Sequence, residues 1–475
     1  MTLPRLTIAR RQTCVFLVGL LFCLGAALAR DFTVQTISAS NRNARTPAVG
    51  DTGLIAWMEY AANEGGAPLA PRPDVLASDP SALRTDIFCW QDGQITNLTQ
   101  ADTRIVASER PTIGGGAVVF NAYFRNDISG GFPFTLSIPP KTDSMRQMEA
   151  DYPELFDPPL PAPKSALEAT LVDTNAPVEP SPTSDSETPP ANKQSNLQRQ
   201  MWRHSGKSGD IAVWRPGGSI ERITPGGFHL SMPVISTAGL AFQCARGWPY
   251  GYELVIWKPG DTNLTQLTTN YFYVLNANIH SNELVFQAWD GDDYEIMLYR
   301  FDTGLLEQIT NNQFDDLSPV VWNGQVVWVA HPTVTAEIFL WRDGAIRKIS
   351  EGTEDNGEPS FWQGRAVWQG YDDTDLEIYF FDGRRTIKLT SNTWDDMAPR
   401  IHSGVITWIS YIENRDAEIM ALDLSDNAPV QLTNNEFEDS LPQTAGEKIV
   451  WLTLGPEGSF IQMATPSAPR TTPLN

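Results

Sequence analysis

The sequence contains 475 residues with a formal net charge of −23, because 57 aspartates and glutamates outnumber 34 lysines and arginines. A surface this acidic repels the phosphates of nucleic acids and the headgroups of anionic lipids, so we expect no nucleic-acid partner. Cations and basic partners are compatible with this charge, and so is a purely solubilising role.

The first 29 residues have the composition of a secretory signal peptide. Arg5, Arg10 and Arg11 precede an apolar run that starts at Cys14 and ends in Ala-Leu-Ala at residue 29. These features predict cleavage after Ala29 and export to the periplasm or the extracellular space. The alternative is an uncleaved membrane anchor, but the apolar run is shorter than the roughly twenty residues that a spanning helix needs. No later stretch has that length and apolarity, so we expect no membrane insertion after cleavage.

A proline followed nine residues later by an aromatic residue recurs along the rest of the chain. The pairs are Pro111 and Phe120, Pro233 and Phe242, Pro319 and Trp328, Pro359 and Trp368, Pro399 and Trp408, and Pro442 and Trp451. Ala277 replaces the proline before Phe286, and Pro47 precedes Trp57 with one extra residue between them. Eight units therefore share one pattern.

Each unit continues with an acidic residue that opens an alternating strand, as in EIMLY at Glu295 and EIYFF at Glu377. A further strand ends in an apolar residue followed by Thr or Ser, and Gly, Asn and Asp turns separate the strands. Units of about 40 to 45 residues with four short strands are typical of β-propeller blades. We therefore predict an all-β fold, a propeller of eight four-stranded blades, with seven blades as the alternative count.

The two ends of the chain predict how the ring closes. The last unit contains FIQMA, but TPSAPRTTPLN follows where a fourth strand is expected. The segment from Phe32 to Ser38 has the form of the missing strand, and Ser38 precedes Pro47 by nine residues. We predict that this N-terminal strand completes the last blade, which removes an open sheet edge. Residues 30–464 then form one propeller domain, and residues 465–475 form a C-terminal tail.

Two insertions interrupt the first two units, at residues 61–84 and at about 125–209. The larger one is rich in Pro, Ser and Thr and has few large apolar residues, so we predict that it is disordered. Two cysteines, Cys89 and Cys244, follow the predicted leader, and an even number is compatible with a disulfide in an exported protein. Because the repeat places them two blades apart, we expect both thiols to be unpaired and buried.

The repeat contains the motif LTNN, an aromatic residue and DD-x-x-P, followed by VVW and by EI with two apolar residues. In this motif it resembles the propeller repeats of the TolB family, which are periplasmic proteins of the Tol system. The resemblance covers residues from about Phe32 to Ala464 apart from the insertions. It implies a TolB-like, WD-like repeat propeller in an exported protein, which we expect to be a monomer. Such repeats occur in scaffold proteins, sugar lyases and peptidase-associated propellers, so the resemblance implies a fold more specifically than an activity.

Clustered acidic residues are the strongest candidates for a metal site. One slot of three units holds the acidic pairs Asp315 and Asp316, Asp395 and Asp396, and Glu438 and Asp439. A second set comprises Asp290, Asp292, Asp293, Asp372, Asp373 and Asp375. Clustered carboxylates suit Ca²⁺, which is the one cofactor that the sequence indicates. The alternative is that these short side chains close turns through their own backbone.

Histidines are the usual general bases near neutral pH, and the chain contains 5 of them. His280 and His402 occupy the same slot, three residues after the anchor position, where Trp322 and Trp362 stand in other units. A slot that accepts both residue types favours a structural role for the pair. The sequence contains no G-x-S-x-G motif, which is the usual sign of an α/β-hydrolase.

Three functions are compatible with these observations. The leading prediction is a non-enzymatic exported propeller that presents a rigid face to a protein or glycan partner. One alternative is a polysaccharide-active lyase or hydrolase with its site at the axial mouth, which the convergence of several histidines on the axis would favour. The other alternative is a structural module stabilised by Ca²⁺.

Overall fold

The computed structural model describes residues 30–38, 44–60, 85–124, 210–224, 230–245, 252–268, 274–351, 355–426, 428–456 and 458–467. These residues form the predicted eight-bladed propeller of four-stranded antiparallel blades. Within the described ranges the only helical element is a 3-10 turn at Ile412–Asn414. The predicted signal peptide, both predicted insertions and residues 468–475 lie outside the described residues.

The blades are numbered in the chain order of their first strands. Blade 1 contains β2 (Ala44–Val49), β3 (Ile55–Tyr60), β4 (Thr85–Gln91) and β5 (Gln94–Asn97), and blade 2 contains β6 (Ile105–Gly114), β7 (Ala117–Phe124), β8 (Asp210–Trp214) and β9 (Glu221–Arg222). Blade 3 contains β10 (Leu230–Ile235), β11 (Leu240–Ala245), β12 (Tyr252–Trp257) and β13 (Thr265–Gln266), and blade 4 contains β14 (Val274–His280), β15 (Glu283–Trp289), β16 (Tyr294–Arg300) and β17 (Leu306–Gln308). Blade 5 contains β18 (Asp316–Trp322), β19 (Gln325–Ala330), β20 (Glu337–Arg342) and β21 (Ala345–Lys348), and blade 6 contains β22 (Asp355–Trp362), β23 (Arg365–Tyr371), β24 (Leu376–Phe381) and β25 (Thr386–Lys388). Blade 7 contains β26 (Asp396–His402), β27 (Val405–Ser410), β28 (Glu418–Asp423) and β29 (Val430–Gln431), and blade 8 contains β30 (Glu438–Ala445), β31 (Lys448–Gly455), β32 (Gly458–Pro466) and β1 (Phe32–Thr36).

The ring closes as the sequence predicts, with the N-terminal strand β1 as the fourth strand of blade 8. Phe32 pairs with Pro466 and Thr36 pairs with Gln462 in antiparallel register. The first strands of successive blades contact one another all the way round, from β2 through β6, β10, β14, β18, β22, β26 and β30 back to β2. These eight strands therefore surround a central channel.

The repeated aromatic slot forms the core between blades. Its members, Trp57, Phe120, Phe242, Phe286, Trp328, Trp368, Trp408 and Trp451, are each at most 1% exposed. Trp328 of blade 5, for example, packs in one cluster with Val285 and Leu298 of blade 4. Because burying one such ring stabilises the fold by about 2–3 kcal/mol, neighbouring blades depend on each other for stability.

The residue type in this slot depends on a second position, at the start of the first strand. The indole N–H groups of Trp328, Trp408 and Trp451 donate to Asp316, Asp396 and Asp439, and that of Trp368 donates to Asn356. Phe242 and Phe286 instead accompany the apolar residues Leu230 and Val274 at that position. A buried indole N–H needs an acceptor, whereas a phenyl ring does not, so the two positions vary together in these six blades. Blade 1 is an exception, because Ala44 holds the strand-opening position and Trp57 donates to Glu59 at 2.8 Å instead.

A β-bulge interrupts the first strand of every blade at the anchor position. In blade 5, Leu317 pairs with Val329 and Val320 pairs with Val327, so Ser318 and Pro319 together oppose Trp328. The residue before the anchor has a positive φ in all eight blades, between 47° and 54°. Proline fits here because a bulge needs no ladder donor, and the bulge turns the preceding side chain away from the sheet.

The two cysteines are buried thiols in blades 1 and 3, and no disulfide joins them, as predicted. Burial raises the pKa of Cys89 to about 12, so this thiol is an unreactive part of the core.

Among the described residues, no helix has the length and apolarity that crossing a membrane requires.

Candidate functional site

The propeller has two faces, which differ in the connections that they carry. The first strand of each blade begins where the chain enters from the preceding blade, as at Asp316, and ends at a hairpin turn, as at Trp322. We call the first of these faces the acidic face, because the predicted acidic pairs and the loops between second and third strands lie there. The opposite face, with the turns between first and second strands, is the turn face.

Four ring side chains from consecutive blades meet on the turn face. They are the last residues of the first strands of blades 4 to 7, namely His280, Trp322, Trp362 and His402. The His280 and Trp322 rings stack with centroids 3.9 Å apart, and the Trp322 ring lies 5.5 Å from that of His402, two blades further on. Trp362 completes the group at 5.9 Å from His402. We call these four residues the axial cluster, since first strands this far apart around the ring can bring their side chains together only at the axis.

His402 links three blades through its two ring nitrogens. Nε2 lies 2.9 Å from Oδ1 of Asp51, in the β2–β3 turn of blade 1. The Gly446 N–H of blade 8 donates to Nδ1 at 3.2 Å, so Nδ1 acts as an acceptor while Nε2 faces the Asp51 carboxylate. The hydrogen bond from His402 lowers the pKa of Asp51. Burial lowers the pKa of His280, which keeps that ring neutral near pH 7.

The remaining four blades carry small residues in the same slot: Gly50, Gly114, Ser236 and Ala445. A Cβ atom on Gly114 would lie 1.8 Å from the carbonyl oxygen of Ile235, so the contact between blades 2 and 3 requires glycine there. Large rings on one half of the ring and small residues on the other allow the axial cluster to extend across the axis on the turn face.

The bulge residues lie on the innermost strands of the blades, and the exposed ones among them form the wall of the channel. The bulge residues are Thr46, Arg110, Met232, Asn276, Ser318, Glu358, Ala398 and Leu441, one from each blade. Because a first strand has no strand neighbour on its inner side, an exposed side chain in its middle faces the channel. Met232 and Leu441 are each 48% exposed despite being apolar. Asn276 Nδ2 lies 3.2 Å from Ser318 Oγ, so the side chains of neighbouring blades contact each other along this wall.

The predicted metal-binding pairs lie in equivalent positions of blades 5, 7 and 8. Their second members, Asp316, Asp396 and Asp439, are at most 1% exposed and accept the tryptophan N–H groups described above. Each also accepts an asparagine side-chain N–H from the preceding loop, at 2.6 Å from Asn312 and from Asn392 and at 3.1 Å from Asn435. Asp315 and Asp395 accept the backbone N–H groups of Tyr294 and Leu376, and Glu438 is exposed.

The second predicted acidic set supplies two groups of converging carboxylates, both on the acidic face. One contains Asp290, Asp293 and Glu295 in blade 4, and the other contains Asp372, Asp375 and Glu377 in blade 6, with the ligand atoms of each group within 4.8 Å of one another. Asp292 and Asp373 belong to neither group. The two glutamates were missed because the sequence pattern presents them only as strand openers, although the shared spacing D-x-x-D-x-E was visible.

No protein-family model matches this sequence, and no curated protein matches it. Among solved structures, a prolyl endopeptidase aligns with a TM-score of 0.48 and 7% identity over 87% of this chain and 54% of its own, so this chain spans about half of its length. TolB from Acinetobacter baumannii aligns at 0.32 with 13% identity over 46% and 60%. An oligogalacturonate lyase in complex with manganese aligns at 0.40 with 11% identity over 55% and 83%. The similarity to these proteins, at such identities, concerns the propeller fold alone.

Proposed function

We propose that this protein is an exported, non-catalytic binding module whose central channel receives a segment of a protein or glycan partner from the acidic face. The observation that carries the proposal is the row of bulges on the innermost strands, because these bulges leave side chains exposed where no strand neighbour covers them. Five of the eight bulge side chains are exposed: Arg110, Met232, Asn276, Glu358 and Leu441.

The wall offers both kinds of contact that a protein or glycan segment needs. Met232 and Leu441 present apolar surface, and Arg110, Asn276 and Glu358 present hydrogen-bonding groups. Concave sites that combine apolar surface with a few fixed polar groups are typical ligand sites. The axial cluster forms a floor at the turn-face end, so a ligand segment would enter from the acidic face.

The axial cluster supports a structural floor better than a proton-transfer site. Nε2 of His402 is paired with Asp51, and Nδ1 accepts the Gly446 N–H, so both nitrogens are engaged. One face of His280 is covered by the Trp322 ring. A general base needs a nitrogen within hydrogen-bonding reach of substrate, and the contacts of His402 leave neither of its nitrogens open toward the channel. Nδ1 of His280 faces the backbone N–H of Asn323 at 3.5 Å.

A catalytic function at the axial mouth is the second candidate, since two histidines do meet on the axis. Asp51 is 68% exposed by its side chain and pairs with His402, so a polysaccharide that binds the turn face could contact this pair. His402 would then act as general base through Nδ1 once the substrate displaces the Gly446 N–H. A lyase or hydrolase of this kind would lose activity in His402→Ala.

The experiment is a calorimetric screen of the purified full-length chain against acidic and neutral oligosaccharides and a peptide library. The affinity of each hit is then measured for a double variant that carries both Met232→Asp and Leu441→Asp. The control is Val334→Asp, because Val334 is 99% exposed in the β19–β20 loop. We expect at least tenfold weaker binding to the channel variant and unchanged binding to the control. Equal binding to both variants would contradict the channel as the site.

The same hits are incubated with the protein and examined for new reducing ends or unsaturated uronates. Product formation that is lost in His402→Ala would replace the binding proposal with the catalytic one.

A further inference from the structure

The loops between the second and third strands of blades 4 and 6 have the same conformation. The Asp290 N–H donates to the Asp293 carbonyl at 3.1 Å, and the Asp372 N–H donates to the Asp375 carbonyl at the same distance. In both loops the first aspartate also accepts the N–H of the residue two positions later, at 3.0 Å. Glu295 and Glu377 each accept the N–H of an asparagine, at 2.7 and 2.9 Å. The two carboxylate groups can therefore be compared residue by residue.

The blade 6 group contains a cation of its own. Lys388 Nζ lies 2.5 Å from Asp372 Oδ2 and 3.4 Å from Glu377 Oε1. Burial acts to raise the pKa of Asp372, but the hydrogen bonds from Lys388, from the Thr374 hydroxyl and from the backbone N–H groups of the loop together outweigh it, so the pKa is lowered. The positive charge of the Lys388 ammonium group thus offsets part of the negative charge of these carboxylates. Blade 5 has a similar ion pair, with Lys348 Nζ 2.6 Å from Glu337 Oε1.

In blade 4 the equivalent position holds a neutral residue. Lys388 pairs with Tyr379, two residues after Glu377, and Gln308 pairs with Met297, two residues after Glu295. Among the residues that the structure describes, no lysine or arginine forms an ion pair with Asp290, Asp293 or Glu295. The same acidic arrangement is therefore built in blade 4 without its ammonium group.

The blade 4 carboxylates are buried and have three unused oxygens, whereas the blade 6 group has two, Asp375 Oδ2 and Glu377 Oε2. Asp293 is 6% exposed, and neither of its carboxylate oxygens has a hydrogen-bond partner. Glu295 is 0% exposed, its Oε2 makes no hydrogen bond of standard geometry, and the nearby Thr310 hydroxyl acts to lower its pKa. Burial, together with neighbouring aspartates, raises the pKa of Asp293 to about 6, and burial raises that of Glu295 to about 7. Buried carboxylates of this kind need either protons or a cation.

We propose that Asp290, Asp293 and Glu295 bind a divalent cation of the Ca²⁺ class, at the position that the ammonium group of Lys388 occupies in blade 6. All the donors are hard carboxylate oxygens, which Ca²⁺ and Mg²⁺ prefer over softer metals. Two unused oxygens on Asp293 permit bidentate ligation, which the larger Ca²⁺ tolerates better than Mg²⁺. The site is separate from the channel, so it does not depend on the proposed function.

The bound ion would order the contact between blades 4 and 5. Tyr294 follows the ligand Asp293, and its N–H donates to Asp315 Oδ1 of the loop that enters blade 5, at 3.1 Å. A cation that fixes the β15–β16 loop therefore also fixes the entry into β18. The expected consequence is cation-dependent stability of the whole ring.

The test uses the purified full-length chain after EDTA treatment, with CaCl₂, MgCl₂ and MnCl₂ as probes. Calorimetry and thermal denaturation measure binding and the rise in melting temperature that binding to the folded state produces. The informative variant is Gln308→Lys, which copies the blade 6 arrangement. We expect it to bind Ca²⁺ at least tenfold more weakly than the original protein and to melt at a higher temperature in EDTA. Asp293→Asn should also bind Ca²⁺ at least tenfold more weakly, whereas Asp373→Asn in the blade 6 loop should bind normally.

A luminescence measurement keeps the test decisive if Gln308→Lys does not fold. Trp289 and Tyr294 flank the loop with ring centroids 5.3 Å apart, so Tb³⁺ bound at this site should emit upon tryptophan excitation. Ca²⁺ should displace it, and Trp289→Phe should reduce the emission without changing the Ca²⁺ affinity measured by calorimetry. The proposal is wrong if the original protein responds to none of the cations, or if Asp293→Asn retains the full response.

Discussion

The Arg30 guanidinium lies 2.7 Å from Oδ2 of Asp423, a residue in blade 7 whose side chain is 0% exposed. Its other terminal nitrogen lies 3.1 Å from Oε2 of Glu447 in blade 8. The backbone N–H of Arg30 donates to Asp426 Oδ2 at 2.5 Å. Arg30 lies two residues before Phe32, the first residue of the closing strand β1, so these contacts hold the start of that strand against the turns of blades 7 and 8.

Replacing Arg30 with alanine should weaken the closure. The change leaves the buried carboxylate of Asp423 without its cation, and breaking a buried pair in this way costs about 3 kcal/mol. Urea unfolding measures the loss. The control is Arg415→Ala, because Arg415 and Glu413 form a pair whose side chains are 73% and 63% exposed; we expect that change to have an effect below about 0.5 kcal/mol. Equal losses for the two variants would contradict a special role for Arg30.

The dependence between the aromatic slot and the strand-opening position predicts a coupled pair in blade 7. Trp408→Phe removes a donor from Asp396, and Asp396→Val removes the acceptor of a buried indole N–H, so each should cost about 2–3 kcal/mol. The double variant recreates the Phe286 and Val274 pair of blade 4. In a double-mutant cycle of urea unfolding, we expect the double variant to lose at least about 1 kcal/mol less stability than the sum of the two single losses. Strictly additive losses would show that the pairing is incidental.

The buried carboxyl of Glu418 predicts a pH dependence of stability. Burial, reinforced by Asp439 and Asp416, raises its pKa to about 7 although hydrogen bonds from Thr433 and Asn435 lower it. The folded state then binds more protons than the unfolded state between pH 4.5 and 7, so the free energy of unfolding falls as pH rises through that window. Glu418→Gln should reduce the fall by about 2 kcal/mol, whereas the exposed Glu436→Gln should not change it. Unfolding curves at several pH values measure the difference.

The bulge in blade 1 places the β-branched residue Thr46 at φ 47°, with its hydroxyl buried and without a hydrogen-bond partner. Left-handed backbone costs a β-branched residue more than 1 kcal/mol, while glycine adopts it freely. Thr46→Gly should therefore raise the free energy of unfolding by about 1 kcal/mol. The same substitution at Thr33, which lies in extended β1, should lower it. A loss of stability in Thr46→Gly would mean that the threonine side chain contributes contacts that outweigh the strain.

The blade count and the closure could be predicted from the sequence because both depend on residues that recur in every unit. Trp328, Trp408 and their equivalents occupy the same buried position in each blade, so their spacing is fixed by strand length and turn length. Ser38 could be assigned to the last blade because it stands nine residues before Pro47, as the equivalent Thr or Ser does in other units. Its hydroxyl accepts the Ile461 N–H in blade 8 at 2.7 Å.

The site residues could be predicted only where they follow the repeat. The acidic slot was visible, but the hydrogen bonds from Trp328 and Asn312 to Asp316 depend on how the bulged strand faces its neighbour. The pairing of His402 with Asp51 depends on the closed ring, because these residues lie in blades 7 and 1 and no local pattern connects them. Gln308 of blade 4 and Lys388 of blade 6 can be recognised as equivalent positions in the sequence only once the strand register is known.

The pairing of β1 with β32 means that blade 8 cannot form until both ends of the propeller sequence have been synthesised. Phe32 emerges from the ribosome early and its partner Pro466 is made near the end of synthesis. At ordinary elongation rates the interval is on the order of half a minute to a minute. Throughout it, blade 8 cannot exist and the first strand made has no native partner, so seven blades at most can assemble as an open arc. β1 therefore has to stay available for pairing until the rest of the chain has been made, whether the blades assemble during synthesis or after export.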